Sequence, residues 1–423
     1  MSRWQHARLA DVAYFQEGPG ILARDFTEIG VPLVRLAGLG GYEATLKGCN
    51  HVDPSVAERK WAHFKLKPGD ILVSTSASFG RPAIVGLEAE GAIFYTGIIR
   101  FRSKSSNLDD GYLELFLGSS AFMAQAEALA SGSVIRHFGP SHLREMTIPL
   151  PPLGYQRAMA EVAAALADKI DLNRRMNETL EAMARVLFKD WFVDFGPTRA
   201  KMEGREPYLA PDLWALFPDQ LDDEGKPEGW STPTVGEAFN LVMGQSPPGD
   251  TYNDLGEGLP FFQGRTDFGF RFPENRKFCT APTRIAEPDD TLVSVRAPVG
   301  DINVAWERCC IGRGVAALRH LSGSPSFTYY SAWSIQQDLQ QYEHTGTVFG
   351  AINKKQFEAL KTVGPGAKLV DAFDHLCGPI DQRIKNGALE SRTLAQTRDL
   401  LLPKLMSGEI RVREAERMVE EVA

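Results

Sequence analysis

Residues recur in alternating steps of four and three along one stretch near the middle of the chain. They are Met159, Ala163, Leu166, Ile170, Asn173, Asn177, Leu180, Ala184, Leu187 and Trp191. Such stepping is the seam of a heptad repeat. Shifted by 214 residues, the same steps fall on Phe373, Cys377, Ile380, Ile384, Gly387, Ser391, Leu394, Arg398, Leu401 and Leu405. The pattern predicts two long helices. Pro151 and Pro152 stand before the first, and Gly196 and Pro197 after it; Pro365 and Gly366 precede the second, and Gly408 follows it. These residues stop or start helices. Both seams turn polar at the same place, at Asn173 and Asn177 in one and at Gly387 and Ser391 in the other. Polar seam residues lower stability and fix register.

The stretches between the helices read differently. Short β-branched and apolar runs, LVRLAG (33–38), DILVST (70–75) and TGIIRFR (96–102), predict strands, with counterparts TLVSV (291–295), NVAW (303–306) and GVAALR (314–319). Helical patterns follow at 111–130 and 326–341. Turns rich in Gly, Pro, Ser and Asp separate these elements. The two blocks are copies of one unit. PGDILVSTSASFGRPAIV (68–85) and PDDTLVSVRAPVGDINVA (288–305) agree at seven of eighteen positions. SGSVIRHFGPSHL (131–143) and TGTVFGAINKKQF (345–357) share Gly and Val with Ser/Thr exchanges, and Trp4 and Trp230 precede similar runs. The order is therefore block, long helix, block, long helix. Each helix follows its own block, so a parallel pair is hard to connect and antiparallel pairing is the expectation. That would hold the blocks at opposite ends of a rod of about 60 Å, for helices of about 40 residues. The competing arrangement packs each helix only on its own block.

Composition fits a soluble chain of two or three domains, with 423 residues, 43% hydrophobic and 24% charged. No apolar run has the ~18–20 residues that span a bilayer, and the start, MSRWQHARLADVAYF, lacks a signal core. The cytoplasm is the expected location. Cys49, Cys279, Cys309, Cys310 and Cys377 form no CxxC pair, against a disulfide framework or a zinc site. The net charge of −8 counts against a protein that coats DNA. Residues 1–150 are balanced, however, with 15 basic and 15 acidic residues, whereas 151–231 hold 10 and 15. Local basic surfaces remain compatible with that distribution.

Polar and basic residues gather at turns that follow the shared frame segments. One group is Ser74, Thr75, Ser76, Ser78 and Arg81, with Arg296 in the equivalent loop of the second copy. Others are Arg136 with His137, Asn353 with Lys354 and Lys355, and Gln263 with Arg265. These residue types reach base edges and phosphates; each alone also suits a solvated loop. Catalytic signatures are missing. There is no (N/D)-P-P-(Y/F) stretch, LAGLGG (36–41) lacks GxGxxG spacing, no phosphate-binding GxxxxGK(S/T) loop occurs, and the histidines form no HExxH pair. Asp219, Glu224 and Lys226 imitate a nuclease PD…ExK set, but in FPDQLDDEGKPEGW they look like part of an exposed linker. The residues leave three readings open: a DNA-reading adaptor, a metal-dependent nuclease, and a coiled-coil scaffold with two protein-binding heads.

The segment LPPLGYQRAMAEVAAALADKIDLNRRMNETLEAMARVLFKDWFVDFGP (150–197), the linker ending in GKPEGW and the run LLPKLMSGEIRV (401–412) resemble the specificity subunit of type I restriction-modification systems. The resemblance covers essentially the whole chain. The second helix departs from the family's pattern by opening as GPGAKLVDAF, without the Pro-Pro and Gln of the first. The resemblance implies an α+β fold: two mixed α/β target recognition domains joined by two long helices in an antiparallel coiled coil, a pseudo-twofold duplicated architecture. It places the first recognition domain at 1–149, a spacer helix at 150–195, a linker at 196–229, the second recognition domain at 230–363, the second spacer helix at 364–410 and a C-terminal tail at 411–423. It implies that each domain reads half of a bipartite, asymmetric site on double-stranded DNA. The helices would set the spacing and dock two methyltransferase subunits, and a motor-nuclease subunit would join for restriction. This chain would bind no cofactor and hold no catalytic or metal site. Two such readers would meet DNA about one turn, ~10 bp, apart between centres.

Overall fold

A computed structural model describes residues 4–75, 82–129, 138–344 and 350–420. The chain forms two compact units: residues 1–175 with 387–423, and residues 176–386. The long helices are continuous, Leu153–Phe192 and Ala367–Ser407, of 40 and 41 residues. Each unit therefore owns one sequence block and part of both helices.

The helices pair antiparallel. In the first unit Lys169 Nζ lies 3.0 Å from Glu390 Oε1, Asn173 Nδ2 donates to Glu390 Oε2 at 2.9 Å, and Tyr155 donates its hydroxyl to the Ile410 carbonyl. In the second, Asn177 Nδ2 donates to the Ile384 carbonyl at 3.2 Å. Rising numbers on one helix meet falling numbers on the other. None of the seam positions is exposed, from Leu166, Ile170, Leu180 and Leu187 on one helix to Ile380, Ile384, Leu394, Leu401 and Leu405 on the other. Packing of each helix only on its own block is thereby excluded. The two asparagines hydrogen-bond across the pair, which ties a polar seam to one register.

In the first unit a five-stranded sheet runs in the order Ala13–Glu17, Ile98–Ser103, Ile71–Ser74, Ala83–Val85, Glu43–Ala44. A second sheet orders Phe26–Thr27, Asn50–Val52, Val31–Val34 and Ile93–Phe94. The 111–130 pattern is broken into Asp110–Leu117 and Ser120–Leu129: Gly118 closes the first helix, and the Ser119 hydroxyl accepts from the Phe122 N–H at 3.2 Å. Gln156, fully buried, explains the Gln of the PPL…Q stretch. Its Oε1 accepts from the Asp109 N–H, and its Nε2 donates to the Asn107 and Pro151 carbonyls. The segment beyond 410 forms the helix Val412–Glu420, and its Val412 and Ala415 enter the core of this unit.

Glu114 lies half-buried on the helix Asp110–Leu117. Burial, and then repulsion from Asp168, push its carboxyl up to about 7. A folded-state value above the unfolded one means that the folded protein binds the extra proton. Stability is then lost as pH rises from about 4.5 to 7. Glu114→Gln should remove that loss: its melting temperature should exceed the parent's at pH 8 and match it near pH 4.5. An equal offset at both pH values would refute the assignment.

The second unit repeats the plan. Phe239–Met243, Val315–His320, Thr291–Ser294 and Ile302–Val304 form one sheet. Tyr252–Asn253, Phe278–Cys279, Leu259–Phe262, Cys309–Ile311 and Ile285–Ala286 form the other. The 326–341 pattern divides at Ile335 into Pro325–Ser334 and Gln336–Gln340. Here the joint to the helices is polar and differently made, which accounts for the missing Pro-Pro and Gln. Asp374 accepts from the Ser324 hydroxyl and the Ser326 N–H. Arg271, only 4% exposed, lies 2.7 Å from Asp381 and 3.4 Å from Glu181, over the ring of Tyr329.

Candidate nucleic-acid interface

In the second unit the strands Leu259–Phe262 and Cys309–Ile311 pair in parallel, with Phe262 opposite Ile311. Parallel pairing brings the turns at their ends side by side. The Gly312 N–H donates to the Phe262 carbonyl at 2.8 Å, and the Gly314 N–H to the Gln263 carbonyl at 3.0 Å. A Cβ on Gly314 would stand 2.4 Å from the Gln263 carbonyl oxygen, so only glycine allows the turns to press together. A third wall comes from residues 296–298. The Val295 N–H bonds to Gly314, and the Ala297 N–H to the Gly350 carbonyl, both at 2.9 Å.

These turns enclose an open cleft of about 420 Å³ lined by Gln263, Arg265, Thr266, Arg296 and Arg313 among others. Arg265 Nε is 2.8 Å from Asp301. Arg313 Nε donates to the Ser246 hydroxyl at 3.2 Å. The guanidinium of Arg296 has no ion pair or hydrogen bond among the described residues. Three guanidinium groups with one carboxylate between them leave the cleft positive, which suits a phosphate-rich ligand, and Arg and Gln carry the donors that match base edges. The cysteines beneath it are not nucleophiles: burial pushes Cys309 up to about 12 and Cys310 to about 11, so both remain thiols.

The first unit repeats the frame with other side chains. Leu33–Ile93 and Val34–Phe94 form the parallel pair, and the Thr75 N–H bonds to the Gly97 carbonyl as that of Val295 does to Gly314. Arg35 thus stands where the second unit has Gln263, and Thr96 where it has Arg313. Arg35 Nη1 donates to Asn50 at 3.0 Å, and its guanidinium lies 4.0 Å from the Tyr95 ring centroid.

Of the sequence candidates, Gln263, Arg265 and Arg296 come together in the cleft. Asn353 caps the helix Lys354–Glu358, exchanging hydrogen bonds with Gln356, and Lys354 faces Glu358 at 3.4 Å while Lys355 is exposed. Ser74 and Thr75 are buried at the stem of their loop. Ser76, Ser78, Arg81, Arg136 and His137 lie outside the described residues. Arg35, Tyr95 and Arg313 escaped the sequence reading. The signal for Arg313 was a cation between two glycines at a strand-to-strand turn. The nuclease-like set has other partners: Asp219 pairs with Lys201 at 2.9 Å, and Lys226 contacts Asp222 and Glu224. Among the described residues no group of three or more His, Cys, Asp or Glu could hold a metal ion, and no helix is long and apolar enough to cross a membrane.

Residues 1–182 match the family described as type I restriction modification DNA specificity domain. The putative type I restriction enzyme MjaX specificity subunit of Methanocaldococcus jannaschii is 26% identical, over 97% of this chain and 94% of its own length. The type I restriction enzyme HindI specificity subunit of Haemophilus influenzae is 22% identical, over 82% of this chain and 87% of its own. The crystal structure of the type I restriction-modification system S subunit from M. genitalium superposes with a TM-score of 0.55 at 18% identity, over 96% of both chains, and shares the fold. With a duplicated frame, an antiparallel helix pair and relatives that run nearly its full length, the chain is similar to the specificity subunits of type I restriction-modification systems.

Proposed function

We propose that this chain is the non-catalytic DNA-reading subunit of a methyltransferase and restriction complex, each recognition domain reading one half of a bipartite site on duplex DNA. One observation carries the reading. Two domains keep the same backbone frame, and at matching positions on it they display different polar and cationic side chains: Arg35 against Gln263, and Thr96 against Arg313. A fixed frame with an exchangeable display is what two unlike half-sites require. The helices are the spacer between the readers, and they also dock the partners. Each unit shows apolar residues to solvent on both helices, Leu172, Leu389 and Leu400 in the first and Met183, Val186 and Leu376 in the second. Such faces suit one methyltransferase subunit per unit. The motor-nuclease subunit joins that assembly for restriction, and the chain works in the cytoplasm. The division at 1–149, 150–195, 196–229, 230–363, 364–410 and 411–423 describes its working parts.

Mapping methylated adenines in cells that express this chain with its methyltransferase subunit tests the reading. The expected result is a two-part motif with an unread gap. Arg35→Ala should alter one half and Gln263→Ala the other. No motif, or an undivided one, would overturn the proposal.

A further inference from the structure

Arg313 is held differently from the other cations of the cleft, and the difference bears on what it binds. Its turn is pinned on both sides. The N–H groups of Gly312 and Gly314 donate to Phe262 and Gln263, and the Val315 N–H closes back on the Gly312 carbonyl at 3.0 Å. A Cβ on Gly312 would meet the Gln263 Cα at 3.0 Å and the Phe261 ring at 3.1 Å, so the backbone on either side of Arg313 is in close contact with the neighbouring strand. The side chain is anchored as well, through Nε on the Ser246 hydroxyl. With Nε engaged, the two terminal nitrogens remain as a planar fork of donors on a residue that lines the cleft. Arg265 differs in being neutralised by Asp301, and Arg296 in having no anchor.

An unanchored cation suits a phosphate, which accepts from any direction. A fork fixed in one plane suits two acceptors lying side by side. Of the base edges exposed in the major groove, only guanine presents two acceptors together, O6 and N7. We propose that Arg313 reads a guanine in the half-site met by the second recognition domain, as a specificity-determining residue, while Arg296 contacts the backbone. This rests on the DNA-reading function above. Thr96, which holds the matching place in the first domain, has no such fork, so the other half-site need not carry guanine at that place.

The test uses the complex of this chain with its methyltransferase subunit and duplexes carrying its methylation motif. The half altered by Gln263→Ala marks the second domain's half-site. In that half each guanine is replaced in turn by 7-deazaguanine, which lacks N7. For the parent complex, one such replacement should weaken binding by about 10- to 100-fold, the range of a bidentate base contact. The Arg313→Ala complex should show that loss on unmodified DNA and no further loss on the modified duplex. Arg313→Lys keeps the charge without the fork and should behave as alanine does; it also stands in should the alanine variant fail to fold. Arg296→Ala should weaken binding on all duplexes alike and lower the salt slope by about one, with the motif retained. A parent motif that survives Arg313→Ala and Arg313→Lys at full stringency overturns the inference and leaves DNA reading intact, as does a uniform loss across sequences. A parent complex without any two-part motif overturns both.

Discussion

Arg271→Met should destabilise the second unit by about 3–5 kcal/mol, among the largest effects expected of any single change in the chain. Arg271 sits almost wholly out of water between two carboxylates and two tyrosine hydroxyls. Its Nη2 lies 2.7 Å from Asp381 and its Nη1 3.4 Å from Glu181; the Tyr330 hydroxyl donates to Asp381, and the Tyr329 hydroxyl to Glu181. Glu181 also contacts Arg185, and Asp381 accepts from Ser326 at 2.6 Å. Glu181 belongs to one long helix and Asp381 to the other, whereas Tyr329 and Tyr330 belong to the short helix Pro325–Ser334, so a single guanidinium joins all three. Removing it leaves two carboxylates in a site built around a positive charge. The penalty comes from that orphaned charge rather than from the net worth of the pair. Arg271→Met combined with Glu181→Gln and Asp381→Asn should therefore recover a large part of the loss. Urea unfolding of the three chains checks this. A single variant within about 1 kcal/mol of the parent, or a triple variant no better than the single, would refute the account.

The parts legible in the sequence were those governed by periodicity. Heptad stepping at Leu166, Leu180, Ile384 and Leu401 declared both helices and their partnership, because a seam must be filled at every turn. The strand DILVST declared itself through a run of β-branched residues between turn formers, and its second copy repeated it. What stayed hidden depends on meetings between residues far apart in sequence. Arg271 lies in GFRFPENR, a stretch that reads as solvated loop; its burial follows from Tyr329, Glu181 and Asp381, which lie up to 110 residues away. Arg313 became a candidate only when parallel pairing set its turn beside Gln263. Asn353 reads equally well as a base-contacting loop residue or as a helix cap, since the same side-chain amide serves both, and the Gln three positions on was the sign that it is a cap.

The run LFKDWF invites a surface explanation, because two of its residues are charged, and yet its aromatic residues are buried in a cluster of rings in the second unit. Phe188, Trp191 and Phe192 are buried, and each faces Phe373 of the other long helix, with ring centroids 5.4, 6.0 and 5.3 Å apart. Phe327 and Tyr330 of the helix Pro325–Ser334 close over the same ring at 6.4 and 5.8 Å. Phe217 and Trp230, which follow the first long helix in sequence, add to its edge by packing on Trp191 and Phe192. The rings meet mostly edge to face, the arrangement their quadrupoles favour. Phe373→Ala would leave a cavity with five aromatic walls, none of which can collapse without moving a helix. The expected loss is about 3–5 kcal/mol, against about 5–15 kcal/mol for a typical whole domain. Phe373→Leu keeps most of the volume and should lose much less, on the order of 1 kcal/mol. The same measurement on Lys189→Ala, an exposed neighbour of these rings, should stay within about 0.5 kcal/mol. If Phe373→Ala and Lys189→Ala unfold at the same urea concentration, LFKDWF is not the core element described, and its aromatic residues must be held for some purpose other than joining the two helices.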